Sequence, residues 1–498
     1  MDTLQFLLAG FAAALTPANL AFAFAGCVLG TLIGVLPGLG PAAGTAILIP
    51  LTFKLDPTGA IIMLSAIYYG AMYGGTITSV LINVPGEAAS VITCIDGYEM
   101  AKQGRAGTAL GIAGIGSFIG GTVAVTLLVV VATPLSHLAL SFGPPEFFAL
   151  LLVGLCLVTS LAGRSVVAGI LMTVFGLLLA MIGIDPVRGA PRFTFGMPDL
   201  YDGVGFIPVV MGLFGISEIL ANIEKPAAQV LKTKLSGLMP TRDEWRRSMG
   251  AIARGTGIGF FLGLIPGVGA IIPTFMSYVI EKRISKTPER FGKGAIEGVA
   301  GPETANNAYA NAAMVPLLTL GIPSSPTIAV LMGAFIINGL TPGPFLFQER
   351  PDLVWAVIAS FFIGNVLLLI LNLPLVGLWA KLLEVPFHYI AVGTLLFCIL
   401  GAYSINQSLF DVWVMLGFGI VGYFLRKLDF PLAPAVLGLI LGPMLEKSLR
   451  TSLEMSAGNF SIFFTRPISA FLLGLAVVVL VVSGLRLTPK EMRDAKDD

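Results

Sequence analysis

Charge is what this chain has least of. Asp, Glu, Lys and Arg make up 11% of its 498 residues, where a soluble domain carries about 25%. A soluble protein of this length would need a large polar surface, and the residues to build one are missing. The deficit is concentrated. Residues 3–53, 57–86, 106–145, 165–184, 255–280, 304–348, 353–380 and 467–485 contain no Asp, Glu, Lys or Arg. A membrane-crossing helix needs about 20 mainly apolar residues, and several of these runs are long enough for two. Composition predicts an all-α polytopic membrane protein.

The other scarcities remove functions. Net charge is +1, so no long-range field draws in nucleic acid. His137 and His388 are the only histidines, and Cys27, Cys94, Cys156 and Cys398 lack metal-ligand spacing; no metal, cofactor or disulfide framework is expected. The start, Met1-Asp2-Thr3-Leu4-Gln5, lacks the basic region of a cleavable signal, so the first apolar run is read as part of the fold. There is no H-E-x-x-H zinc motif. Nor is there a Walker A loop: Gly292-Lys293 is followed by Gly294 and has Thr287 at the upstream glycine position. Ser324-Ser325 has no histidine near it in sequence. An intramembrane enzyme and a channel stand as alternatives to a transporter.

What is abundant is glycine, at 60 residues, about 12% against a usual ~7%. Close packing of membrane helices accounts for most of it. It does not account for Gly beside Pro inside apolar runs, where a broken helix exposes backbone that lipid cannot satisfy.

Counting long runs as pairs and short ones as half-helices predicts roughly 10–13 passes of about 20 residues each, including broken or re-entrant hairpins. Two basic stretches interrupt them: Glu224 to Arg254, and Lys282, Arg283, Lys286, Arg290 and Lys293. Lys and Arg favour cytoplasmic loops, and no Lys or Arg precedes Lys54, which predicts an external N-terminus. Arg164 reads as an interfacial residue. The expected organisation is a first membrane repeat at 1–223, a basic connector at 224–254, a second repeat at 255–485 and a polar tail at 486–498.

The repeat rests on one motif. Gly34-Val-Leu-Pro37-Gly38-Leu-Gly40 recurs as Gly263-Leu-Ile-Pro266-Gly267-Val-Gly269, at an offset of 263 − 34 = 229 that also pairs Thr45 with Thr274. A looser match lays Asn83-Val84-Pro85-Gly86 on Gly321-Ile322-Pro323-Ser324, at 323 − 85 = 238. A partial third copy, Gly339-Leu-Thr-Pro342-Gly343, lacks the last glycine. Paired Gly/Pro-interrupted segments in two halves point to inverted repeats and a transporter site near the membrane midplane.

A helix stopped there leaves N–H groups bare at one end and C=O groups at the other. The first end attracts an anion, the second a cation. A substrate site is therefore expected at Pro37, Gly38, Gly40, Thr78, Asn83, Pro85, Gly86, Pro266, Gly267, Gly269, Asn306, Asn307, Pro323, Ser324 and Ser325. Cation coupling is expected at Glu303, Asn311 and Thr319. Ser and Thr also bond back to their own helices, and Asn joins helices. Glu303, after Pro302 at an expected helix start, fits either a cap or an ion-binding group. Glu87 and Asp96, in the polar stretch 86–105, read as solvated loop residues.

These stretches, with Tyr73-Gly-Gly-Thr-Ile-Thr78, Asp96-Gly-Tyr-Glu-Met-Ala101 and Gly301-Pro-Glu-Thr-Ala-Asn-Asn307, resemble the large membrane subunit of the bacterial tripartite tricarboxylate transporters. The matching stretches span about half of the chain, in the family's order. The resemblance implies secondary import of carboxylates such as citrate across the inner membrane, driven by sodium or protons. It implies two partners, a small four-helix membrane subunit and a periplasmic solute-binding protein. With the paired halves, it favours an elevator motion over rocking.

Overall fold

Proline decides where many of the helices begin. It lacks the N–H that a first helical turn leaves unpaired and holds φ near the helical value. Seven of the described α-helices start on one, at Pro17, Pro41, Pro57, Pro144, Pro326, Pro351 and Pro467. The computed structural model describes residues 3–36, 39–139, 141–161, 165–185, 188–224, 237–383 and 385–485.

The first half runs α1 (Thr3–Ala14), α2 (Pro17–Val35), α3 (Pro41–Leu48), α4 (Pro57–Ile82), α5 (Val91–Lys102), α6 (Ala106–Ala139), α7 (Pro144–Leu161), α8 (Val166–Ala180) and α9 (Phe206–Ile223), with a π turn over Met211–Ile216. The second runs α10 (Arg242–Gly263), α11 (Ile271–Ile284), α12 (Glu297–Ala312), α13 (Met314–Leu320), α14 (Pro326–Ile337), α15 (Pro351–Asn372), α16 (Val376–Leu382), α17 (Phe387–Asn406), α18 (Leu409–Lys427), α19 (Leu432–Met455) and α20 (Pro467–Leu485). Among the described residues the only strands are Gly183–Ile184 and Pro191–Arg192, paired antiparallel. Eight described helices are long and apolar enough to cross a membrane, and six shorter apolar helices accompany them. The protein is an all-α, multi-pass membrane protein.

Two helices form its centre. Every residue of α4 from Gly59 to Ile82 is buried, and so is every residue of α12 from Gly298 onward. Glycine lets each be approached by a neighbour. On α2, a Cβ added at Gly26, Gly30 or Gly34 would come within 2.5, 2.4 and 2.2 Å of the carbonyl oxygens of Met63, Ile67 and Ala71 on α4. On α10, Gly255, Gly259 and Gly263 stand against the carbonyls of Gly301, Ala305 and Tyr309 on α12 in the same way, at 2.4, 2.3 and 3.0 Å. The glycines correspond at 255 − 26 = 229 and their partners at 301 − 63 = 238. The two motif offsets are thus the offsets of one helix-pair packing made twice. The partial third copy is a buttress: a Cβ at Gly321 would meet the Pro342 carbonyl at 2.5 Å.

Three sequence expectations change. The stretch 86–105 is not a solvated loop but a capped turn followed by α5. Asp96 is fully buried and accepts hydrogen bonds from Tyr278 Oη (2.9 Å) and from the backbone N–H of Gly292, Gly294 and Ala295 (2.9, 2.8 and 2.8 Å). Glu87 is buried as well. These partners lie about two hundred residues away, beyond any local pattern. Glu303 is not a helix cap, since α12 begins at Glu297 and Pro302 lies inside it. The boundary between connector and second repeat falls inside α10, where 242–254 continues unbroken into 255–263. Arg164, Lys225, Lys232, Lys234 and the tail after Leu485 lie outside the described residues.

One charged contact ties the halves together, and a second braces α10 against α12 within the second half. Arg105 Nη2 donates to Glu244 Oε1 at 2.8 Å, and Arg247 grips Glu297 through two bonds of 2.7 and 2.8 Å. Partial burial alone would raise the Glu244 carboxyl, but the Thr241 backbone N–H and Arg105 outweigh it and hold the group below the usual carboxylate range.

Candidate functional site

Each of the four breaks ends by starting a new helix. α3 starts after Gly40 (φ +52°), and α11 starts after Gly267 and Gly269 (φ +82° and +69°), a left-handed backbone that side chains resist. A Cβ at Gly267 would also meet Val158 N at 2.7 Å. α4 stops on Asn83 in the left-handed cap conformation, and Gly86 follows, packed against the Gly34 carbonyl. α13 stops on Gly321 in that same conformation, and α14 begins at Pro326.

The four starts surround one cavity of about 1160 Å³, walled by residues 39–43, 84–89, 267–272 and 324–327. Typical ligand pockets measure ~300–1,000 Å³. The positive end of a helix dipole favours an anion, and here four such ends line a single space. Two are already capped from within: Ser325 Oγ accepts from Ile328 N, and Glu87 Oε2 accepts from Ala89 N at 2.7 Å. The starts at Gly40 and Ala270, which follow the two copies of the Gly-Pro motif, have no side-chain cap. Arg426 and His388 also line the cavity. The Arg426 guanidinium is engaged, with Nη1 2.6 Å from Glu218 Oε2 and Nε donating to Ser217 Oγ at 2.9 Å.

Behind the cavity wall lies a layer of polar side chains. Glu87 faces the cavity, and its Oε1 accepts from Asn306 Nδ2 at 2.9 Å. Glu303 accepts from Thr76 Oγ1 at 2.6 Å and from Thr93 Oγ1. Asn307 Nδ2 donates to Ser117 Oγ (2.7 Å) and to the Glu303 carbonyl (3.2 Å), and Asn311 Nδ2 to the Asn307 carbonyl (2.9 Å). Among the described residues no Lys, Arg or His pairs with Glu87 or Glu303. A buried carboxylate without such a partner needs a proton or a metal cation to balance its charge.

The sequence-derived candidates divide by place. Gly40, Pro85, Gly86, Gly267, Gly269, Ser324 and Ser325 line the cavity; Pro37 and Gly38 lie outside the described residues. Asn306 stands one contact behind the wall, through Glu87, and Asn307 one helical position further on. Thr78 and Thr319 donate to their own helices, to Gly75 O and Val315 O, while Asn83 is an exposed cap. Pro266 and Pro323 shape their breaks without lining the cavity. Glu303 and Asn311 share a face of α12, two turns apart, and Thr319 lies on the next helix. Glu87, expected in a solvated loop, is on the cavity wall, and Arg426, His388 and Asn365 were not among the expected site residues. Asn365 did leave a signal, as an amide inside the charge-free run 353–380.

Residues 20–437 match a family described as the tripartite tricarboxylate transporter TctA family. The chain is 48% identical over 485 residues to an "uncharacterized 52.8 kDa protein in TAR-I ttuC' 3'region" of Agrobacterium vitis, covering 97% of each. A second protein of that organism, "in TAR-II ttuC' 3'region", is 49% identical over 225 residues, which is 45% of this chain and 93% of the relative. No solved structure matches.

Proposed function

The chain belongs to the TctA family of tripartite tricarboxylate transporters, and from that premise we propose that it imports a carboxylate across the bacterial inner membrane, driven by a cation gradient. The observation that carries this reading is the cavity lined by four helix starts, two of them uncapped. Such ends bind a carboxylate through backbone N–H groups and need no free Lys or Arg. The substrate belongs to the di- or tricarboxylate class.

Glu87 gives the reading its coupling step. An ionised carboxylate on the wall repels an anionic substrate, so substrate and a compensating cation or proton enter together. Glu303, behind it, is a second group that needs a positive charge. Sodium or a proton serves as the coupling ion. A periplasmic binding protein delivers the substrate, and a small four-helix subunit completes the membrane unit. The two repeats are inverted relative to each other, with the N-terminus outside.

The test is uptake by the assembled complex in proteoliposomes under imposed sodium and proton gradients. Accumulation of a di- or tricarboxylate against its own gradient is expected with at least one of them. Uptake indifferent to both would remove the coupling, and equilibration without accumulation would make the protein a channel.

A further inference from the structure

Five described asparagines in the interior, Asn306, Asn307, Asn311, Asn365 and Asn372, have amide oxygens with nothing to bond. Asn307 and Asn311 on α12 and Asn365 on α15 are at most 2% exposed. The Oδ1 of each lacks a hydrogen-bond partner, as does Asn365 Nδ2. Gly121 of α6 brings two of them to one place. A Cβ there would lie 2.7 and 3.0 Å from Asn365 Oδ1 and Nδ2 and 3.1 Å from Asn311 Nδ2, so the notch left by the missing side chain is taken up by amides from two other helices. Thr122 Oγ1, the next residue of α6, is also buried without a partner.

Orphaned buried acceptors are costly, and natural folds keep few of them without a bound species to answer them. Which species fits follows from the chemistry. Amides and hydroxyls do not titrate near neutral pH, so the group waiting here is not a proton. The unmet atoms are mainly oxygens, which a hard cation satisfies together. None is a carboxylate, which suits a single charge, because divalent ions draw carboxylates into their shells. The balancing charge is near. Glu303 lies on the same face of α12, at i, i+4 and i+8 with Asn307 and Asn311, and Asn307 Nδ2 donates to its carbonyl. A cavity of about 10 Å³ lined by Tyr73, Thr76, Ser117 and Asn372 adjoins that carboxylate. Tyr73 Oη and Asn372 Oδ1 are again unpartnered. Asn372 lies two turns from Asn365 on α15.

We propose that the notch at Gly121 is a monovalent-cation site, with sodium held by the amide oxygens of Asn311 and Asn365, completed by Asn307, and balanced by Glu303. This inference rests on the reading of the chain as cation-coupled. The experiment is thermal unfolding of the detergent-purified chain in sodium, potassium or choline chloride at equal ionic strength. Wild type is expected to gain stability with sodium alone. Asn365→Leu should keep its melting temperature in choline, Gly121→Ala should start from a lower one because its methyl group presses on Asn365, and each should need at least tenfold more sodium for the same gain over its own choline value. Asn365→Ala replaces the leucine variant if that one does not fold. A sodium gain unchanged in these variants, or absent from wild type, overturns the site. The same variants assayed for uptake separate the two readings. Gradient-driven accumulation that survives loss of the site spares the importer, and a sodium gain without any accumulation spares the site.

Discussion

Two buried acids that are neighbours in sequence serve different ends. Asp96 answers three backbone N–H groups and one phenol, all from the other half of the chain. Asp96→Ala leaves three buried donors and the part-buried Gly292 N–H unpaired, at about 1–3 kcal/mol for each buried one, so it is expected to abolish the folded state; loss of the monodisperse detergent-solubilised peak checks this. Glu87 has fewer partners and faces the cavity. Glu87→Gln removes the charge and keeps one oxygen to accept from Ala89 N, while its new NH2 can donate to the unpartnered Oδ1 of Asn306 once that amide turns over. The expected outcome is carboxylate exchange at near wild-type rate with loss of gradient-driven accumulation, measured by counterflow against net uptake. Accumulation equal to wild type would take Glu87 out of the coupling.

At the scale of elements, the glycine contacts make α2–α4 and α10–α12 equivalent pairs. Gly30→Ala and Gly259→Ala each force a methyl group into a facing carbonyl. Overpacking of that kind costs about 1–3 kcal/mol, read as a lowered melting temperature. Gly257→Ala is the control, because a Cβ there meets nothing within 4 Å, and its melting temperature should not fall. This level of the fold was largely legible in the sequence. The 229 and 238 offsets, the breaks after Gly34 and Gly263, and the cavity positions of Gly86 and Ser325 all follow from where Gly and Pro interrupt apolar runs. What escaped was held by distant partners. Asp96 and Glu87 carry no local sign that residues about two hundred positions away will enclose them. Arg426 stands at the end of an apolar run like any boundary residue, and only the fold brings it to the cavity beside Glu218.

At the scale of the molecule, two half-similar bundles bring four helix starts to a common space, with one carboxylate on its wall and another, among several amides, behind it. Scarce charge thereby acquires a physical meaning. Backbone N–H groups and neutral oxygens can do work that would otherwise require buried Lys, Arg or Asp, each costly in a membrane. The central claim is that carboxylates sit among those four starts. It is tested most directly by thiol labelling of a cysteine placed at Ala88 on the cavity wall, with the half-buried Cys94 changed to Ser. A di- or tricarboxylate is expected to slow labelling in a saturable way, while chloride at equal ionic strength does not. Labelling at the same rate with and without carboxylate would contradict it.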